Sequence, residues 1–320
     1  MRILDPAQTA ALLPYSPLAD ACAAMLRAKK AGTAHAPERL HLHIGDADDA
    51  GHGGVLLVMP ASDQRLAITK LVTVHAGNPA RGLPTIQGEV VVLDGCTGQR
   101  LGILDGPTLT ARRTAAVSLL AARLLATEQA RQGPLLVVGA GVQARGHLEA
   151  MHQGLGVEEA LIHSRTRASA ERLAAHARGL GMRAEVVARV EAGLERARLV
   201  VTATTSVEPV LPDSPPGSPH APRPGTFIAA IGAYRPHMAE VPPTIMRAAR
   251  VVADTAGALP EAGDFLRAGL GPAEVELLEE VVELSPPPDE TRVTIFKGTG
   301  HALFDLAAAG LAFPQATHQS

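Results

Sequence analysis

The spacing of apolar and polar positions changes several times along the 320 residues. Residues 8–30 are rich in Ala and Leu with polar breaks and predict one or two helices. The period then shortens. Residues 41–44, 54–59, 66–74, 88–93 and 100–104 read as strands, and 45–53, Gly77-Asn78-Pro79, Gly82-Leu83-Pro84 and Asp94-Gly95 supply turns. The first hundred residues therefore predict an antiparallel sheet flanked by helices. A long helix follows, capped by Thr108 or Thr110, running through 113–129 and ended by Gly133-Pro134.

From Leu135 strands and helices alternate. Short apolar strands are expected at 135–138, 160–163, 184–187, 199–203, 226–231 and 251–253, with helices at 142–153, 168–180 and 190–197. Segment 212–224 holds six prolines and reads as a surface loop. A strand at 293–296 and a last helix at 301–311 complete the pattern. The acidic stretches 261–264 and 274–283 read as solvated helix faces. The fold class is α/β: a Rossmann-type doubly wound parallel sheet joined to an α+β domain.

Composition narrows the partners. Lys and Arg number 29 against 32 Asp and Glu, a net charge of -3, so nothing draws the chain to nucleic acid or an acidic membrane. Trp is absent and Phe and Tyr total seven, too few for a base-stacking surface. Cys22 and Cys96 are too few for a disulfide framework and read as small buried residues. The thirteen histidines show no metal-ligand spacing, so no metal site is expected. Charge and Pro near Met1, with no apolar run of roughly 20 residues, predict a cytoplasmic protein without a membrane segment.

The clearest chemical signal is Gly139-Ala140-Gly141-Val142-Gln143-Ala144, set between an apolar strand and a helix. The first glycine permits a tight turn and the second lets backbone approach a pyrophosphate. The small third residue, Ala144, lets helix and strand pack closely. The helix N-terminus offers free N–H groups and partial positive charge to phosphates. The next strand ends in His163-Ser164-Arg165-Thr166, with no carboxylate to accept from a ribose 2′-hydroxyl. Arg165 can pair with a 2′-phosphate and Ser164 and Thr166 can donate to it, favouring NADP(H) and leaving NAD(H) open. Alternatively, Arg165 stacks on adenine or is solvated.

Together with Val58-Met59-Pro60-Ala61, Lys70 to Val74, Leu104-Asp105-Gly106, Leu109 to Ala116, Ile231-Gly232-Ala233 and Phe296-Lys297, these motifs resemble the ornithine cyclodeaminase/mu-crystallin family along nearly the whole chain. The resemblance implies a homodimer. Residues 1–115 with 300–320 would form a substrate-binding and dimerisation domain, and 116–299 an NAD(P)-binding domain. It also implies that Arg39, Lys70 and Arg113 hold the carboxylate of a small imino or amino acid, with Thr85 in the substrate site and Thr204 and Gly232 in the cofactor site.

The chemistry of these residues agrees. A desolvated carboxylate needs hydrogen-bonded cations, and a guanidinium can grip it bidentately. Lys70 is one of only four lysines and lies inside a strand-like run. The competing readings are Lys70 as a charge guarding an edge strand, Arg113 as a surface residue at a helix start, and Arg39 as solvated.

One departure from the family is informative. Ornithine cyclodeaminases carry an Asp where this chain has Tyr234, and a neutral phenol cannot hold a substrate ammonium. The pattern is closer to ketimine and 1-pyrroline-2-carboxylate reductases. The expected reaction is hydride transfer from NADPH to a cyclic C=N carbon bearing a carboxylate, giving proline or its six-membered analogue. Lys70, Tyr234 or a water would supply the proton. Ornithine cyclodeamination with NAD, an alanine dehydrogenase-like oxidation and non-catalytic NADPH-dependent ligand binding are the alternatives.

Overall fold

A computed structural model of the chain describes residues 1–45 and 53–314; most of the turn expected at 45–53 lies outside them. The chain divides into two compact units, Met1–Arg113 with the stretch from His301 onward, and Thr114–Gly300.

The first unit is built on a six-stranded sheet in the order β1-β6-β5-β4-β3-β2. Its strands are β1 (Arg2–Ile3), β2 (Leu40–Ile44), β3 (Gly54–Ser62), β4 (Leu66–Val74), β5 (Ile86–Asp94) and β6 (Arg100–Asp105). Neighbours are antiparallel except β1, which runs parallel to β6. Two helices, α1 (Pro6–Ala11) and α2 (Tyr15–Lys30), account for the predicted N-terminal pair. The Asp5 carboxylate accepts from Gln8 N and caps α1. On β4, Leu66, Ile68, Lys70 and Val72 alternate inward and are buried. Because β4 lies between β3 and β5, Lys70 does not guard an edge.

The long helix differs from expectation at both ends. It begins at Gly106, because the Asp105 carboxylate accepts from Thr108 N at 2.8 Å. As α3 it runs Gly106–Leu125, breaks at Ala126, and resumes as α4 (Glu128–Gln132) capped by Thr127. The last helix, α12 (Ala302–Ala312), belongs to the first unit and is almost wholly buried.

The second unit is a doubly wound α/β layer structure, as the alternation predicts. Eight strands, parallel wherever they pair, follow the order β13-β12-β14-β11-β10-β7-β8-β9. They are β7 (Leu135–Val138), β8 (Glu159–His163), β9 (Arg183–Val186), β10 (Leu199–Thr202), β11 (Phe227–Ala230), β12 (Arg250–Ala253), β13 (Val275–Leu277) and β14 (Thr294–Lys297). All residues of β7, β10, β11, β12 and β14 are buried, the signature of strands covered on both faces. The helices are α5 (Val142–Leu155), α6 (Arg167–Gly179), α7 (Val190–Leu194), α8 (Pro243–Ala248), α9 (Ala258–Glu261), α10 (Gly263–Ala268) and α11 (Leu278–Leu284).

Three local expectations are corrected. Asp264 is not on a solvated face but wholly buried. The stretch 274–283 is not one helix; it opens with β13, paired to β12, before α11. Cys22 is buried, whereas Cys96 is exposed in the turn after β5. Among the described residues no helix is long and apolar enough to cross a membrane.

Candidate functional site

In the first unit, strand, helix and C-terminal helix bring three charges together. Lys70 Nζ lies 2.7 Å from Asp305 Oδ2, and Arg113 Nε donates to Asp305 Oδ1 at 2.9 Å. Asp305 is wholly buried, while Lys70 and Arg113 are 3% and 5% exposed. Arg113 is therefore not a surface residue of a helix start. Such burial is costly for any unmatched charge. Two cations against one carboxylate leave the cluster with a surplus of one positive charge, which an incoming carboxylate can match.

The electrostatics follow from that crowding. Burial would raise the Asp305 pKa, but the attraction of Lys70 and Arg113 outweighs it and holds the carboxyl below its usual value. Lys70 is lowered to about 8, chiefly by burial, with Asp305 opposing and the charges of Arg113 and Arg39 adding to the shift. Arg39, half-buried just before β2, thus contributes to the positive field. His301 sits at the N-cap of α12, where Nδ1 accepts from Leu303 N at 3.3 Å. Burial, then the charges of Lys29 and Arg39, lower its pKa to about 4. A neutral ring with its proton on Nε2 satisfies both facts. The neighbouring Cys22 thiol is pushed up to about 12 by burial and stays protonated. Thr85, part-buried before β5, accepts at its carbonyl from His75 N.

In the second unit the glycine turn follows β7 directly. Gly139 has φ +115°, and a Cβ there would collide with the Ala203 carbonyl oxygen, so both conformation and packing demand glycine. A Cβ on Gly141 would meet nothing within 4 Å. Gly141 N-caps α5, and no side chain caps the helix's first turn. Ala144 is fully buried, Val142 is 71% exposed, and Gln143 Oε1 is buried without a hydrogen-bond partner among the described residues. These features fit a pyrophosphate seated on the helix N-terminus.

After β8, Ser164 is part-buried and Arg165 exposed. Thr166 caps α6, and its hydroxyl donates to Ser169 Oγ at 2.8 Å. Thr204 and Gly232, after β10 and β11, share one buried partner that sequence reasoning missed, Glu240. Tyr234, two residues beyond Gly232, is 39% exposed with the Arg235 guanidinium 5.4 Å from its ring centroid. Asp305 was missed as well; the only signal for it was a single acid in an otherwise apolar C-terminal helix. Among the described residues no three His, Cys, Asp or Glu side chains are grouped to hold a metal.

Residues 3–320 match the family model described as "Ornithine cyclodeaminase/mu-crystallin family". The chain is 38% identical over 314 residues to Delta(1)-pyrroline-2-carboxylate reductase 1 of Burkholderia multivorans, covering 96% of this chain and 93% of that protein. It is 38% identical over 309 residues to the Delta(1)-pyrroline-2-carboxylate/Delta(1)-piperideine-2-carboxylate reductase of Azospirillum brasilense, with coverages of 96% and 93%. Its fold is similar to that of Thermococcus litoralis Delta(1)-pyrroline-2-carboxylate reductase in complex with NADH and L-proline. There the TM-score is 0.87 and the identity 25%, covering 99% of this chain and 97% of that one.

The shared carboxylate makes a stability prediction. Asp305→Asn leaves two buried cations without a counter-ion and should lower unfolding free energy by about 3–5 kcal/mol. Urea denaturation of both proteins measures it; a loss under about 1 kcal/mol would show that Asp305 does not neutralise the pair.

Proposed function

Because the chain belongs to the ornithine cyclodeaminase/mu-crystallin family, we propose that its two sets of residues serve one reaction, the NAD(P)H-dependent reduction of a small cyclic imino acid. The substrate class is 1-pyrroline-2-carboxylate or its six-membered analogue, the class named for relatives that match almost end to end. The observation that carries the reading is the surplus positive charge at Lys70, Arg113 and Asp305.

Lys70 and Arg113 hold the substrate carboxylate, Asp305 fixes both cations, and Arg39 strengthens the field. A clamp of this kind fixes the adjacent C=N carbon as well. Bound NADPH would supply the hydride. The imine nitrogen must gain a proton as its carbon gains the hydride. With a pKa near 8, Lys70 is protonated at neutral pH yet acidic enough to donate. Tyr234 is the alternative donor, its phenol partly exposed on the loop after β11.

The glycine turn, Gly139, Gly141, Val142, Gln143 and Ala144, seats the pyrophosphate. Ser164 and Arg165 select the 2′-phosphate of NADP(H), with Thr166 fixing the start of α6 beside them. An ornithine cyclodeaminase would need a carboxylate where Tyr234 stands. The reading includes a cytoplasmic homodimer in which residues up to about 115 and the C-terminal helix form the substrate and dimerisation domain. Edge strand β2 supports it, exposed along its length with Leu40, Leu42 and Ile44 uncovered.

Freshly prepared 1-pyrroline-2-carboxylate should be consumed with NADPH oxidation at 340 nm, while ornithine releases no ammonia. No oxidation with either ring size would overturn the reading. The pH profile of kcat/KM should have a limb that falls above about pH 8, as Lys70 loses its proton, and Lys70→Arg, which keeps the charge but holds its proton too tightly to donate it, should lower kcat and remove that limb. An unmoved limb would assign it to another group. Arg165→Ala should raise the KM for NADPH at least about tenfold and leave that for NADH near the parent value. An equal rise for both would show that the guanidinium does not meet the 2′-phosphate.

A further inference from the structure

Three ionisable side chains in the second unit are wholly buried together: Glu240, Asp264 and Lys297. Lys297 Nζ lies 2.8 Å from Asp264 Oδ2. Asp264 Oδ1 accepts from the backbone N–H groups of Glu240 at 2.7 Å and Val241 at 2.9 Å. The Glu240 carboxylate then takes four donors. Oε1 accepts from Thr204 N at 2.6 Å and Thr204 Oγ1 at 2.9 Å; Oε2 accepts from Gly232 N at 2.6 Å and Thr202 Oγ1 at 3.0 Å.

In this cluster two carboxyl groups and one ammonium are held together out of water, and burial raises the Glu240 pKa against the pull of Lys297. Well-packed apolar residues often serve stability as well or better, so stability alone is a weak account of it. Its placement says more. Val138, Thr202, Ala230 and Lys297 end β7, β10, β11 and β14 and stand in register across the sheet. The glycine turn and the segments bound by Glu240 all leave from that row, at the carboxyl edge where open α/β sheets take their ligands. The segments also press on one another. A Cβ at Gly232 would collide with Thr204 backbone and Glu240, and one at Gly139 with Ala203, next to Thr204.

We infer that Glu240, held by Asp264 and Lys297, is a positioning residue for the dinucleotide. It fixes the segments after β10 and β11 against the glycine turn, so that the cofactor meets a preformed surface. Its carboxylate is inaccessible and, among the described residues, takes its hydrogen bonds from Thr202, Thr204 and Gly232. Preorganisation of this kind acts on binding, since loose supporting groups cost affinity each time the ligand must order them.

The inference rests on the dinucleotide reading, and one experiment separates the two. NADPH is titrated into wild-type, Glu240→Gln and Thr202→Val proteins and followed by its own emission, well below each melting midpoint. Wild-type protein should bind, Glu240→Gln should bind at least about tenfold more weakly, and the KM for NADPH should rise in step while that for the imine holds. Thr202→Val, near-isosteric and buried, should weaken binding in the same direction and decides the matter if the Gln variant does not fold. Folded variants that bind within twofold of wild type, with only a lower melting point, would overturn the positioning role. A wild-type protein that binds neither NADPH nor NADH would instead overturn the dinucleotide reading.

Discussion

A carboxylate buried between an ammonium and a guanidinium sets the terms for the first unit. Asp305 cannot satisfy Lys70 and Arg113 completely, because one negative charge faces two positive ones. Without Asp305, two cations would stand buried on neighbouring elements and repel each other. With it, they are held at fixed places with one charge in excess. A small carboxylate is the kind of group that could complete such a balance, which is why the proposed substrate carries one. The fold serves this arrangement: β4 is an interior strand whose inward positions cannot turn to water, and α12 is buried almost throughout.

The second unit solves the converse problem with backbone. Its glycine turn presents N–H groups without side-chain caps, and the small residues around it are imposed by collisions. A phosphate site made of backbone has no side chains of its own to hold it in shape. Stiffness must come from beneath, and Glu240, linking the segments after β10 and β11, is placed to provide it. Both units thus bury a carboxylate with several partners. In one, a single carboxylate faces two cations; in the other, two carboxyl groups share one ammonium and several backbone and hydroxyl donors.

Much of the fold was legible because periodicity reports burial. Five strands of the doubly wound sheet are short apolar runs buried on both faces, and every expected strand of that sheet lies within a residue of its observed limits; β13, hidden in an acidic stretch, was not expected. Lys70 stood out as a lysine inside a strand-like run, and the structure buries it on interior strand β4; the glycine turn stood out by its place between an apolar strand and a helix, which the structure shows as β7 and α5. Errors arose where a local cap outweighed propensity. The Asp105 carboxylate starts α3 at Gly106, ahead of the threonines that a scan for caps favours, and Thr127 restarts the helix after a break.

The buried acids mark the limit of reading charge as exposure. Asp264 lies in an acidic stretch that reads as solvated, Glu240 in a short apolar segment after the loop from β11, and Asp305 is the one acid of an otherwise apolar helix. Each is buried with a partner from a distant part of the chain: Lys297 for Asp264, Thr202 and Thr204 for Glu240, Lys70 and Arg113 for Asp305. Sequence shows the cations, since a lysine inside a strand contradicts its neighbourhood. It shows the acids less well: Asp305 gave one faint signal, a lone acid in an apolar helix, and Asp264 and Glu240, close to turns, gave none. A functional site built on buried ion clusters will therefore be half visible from sequence, and the hidden half is the half that holds it in place.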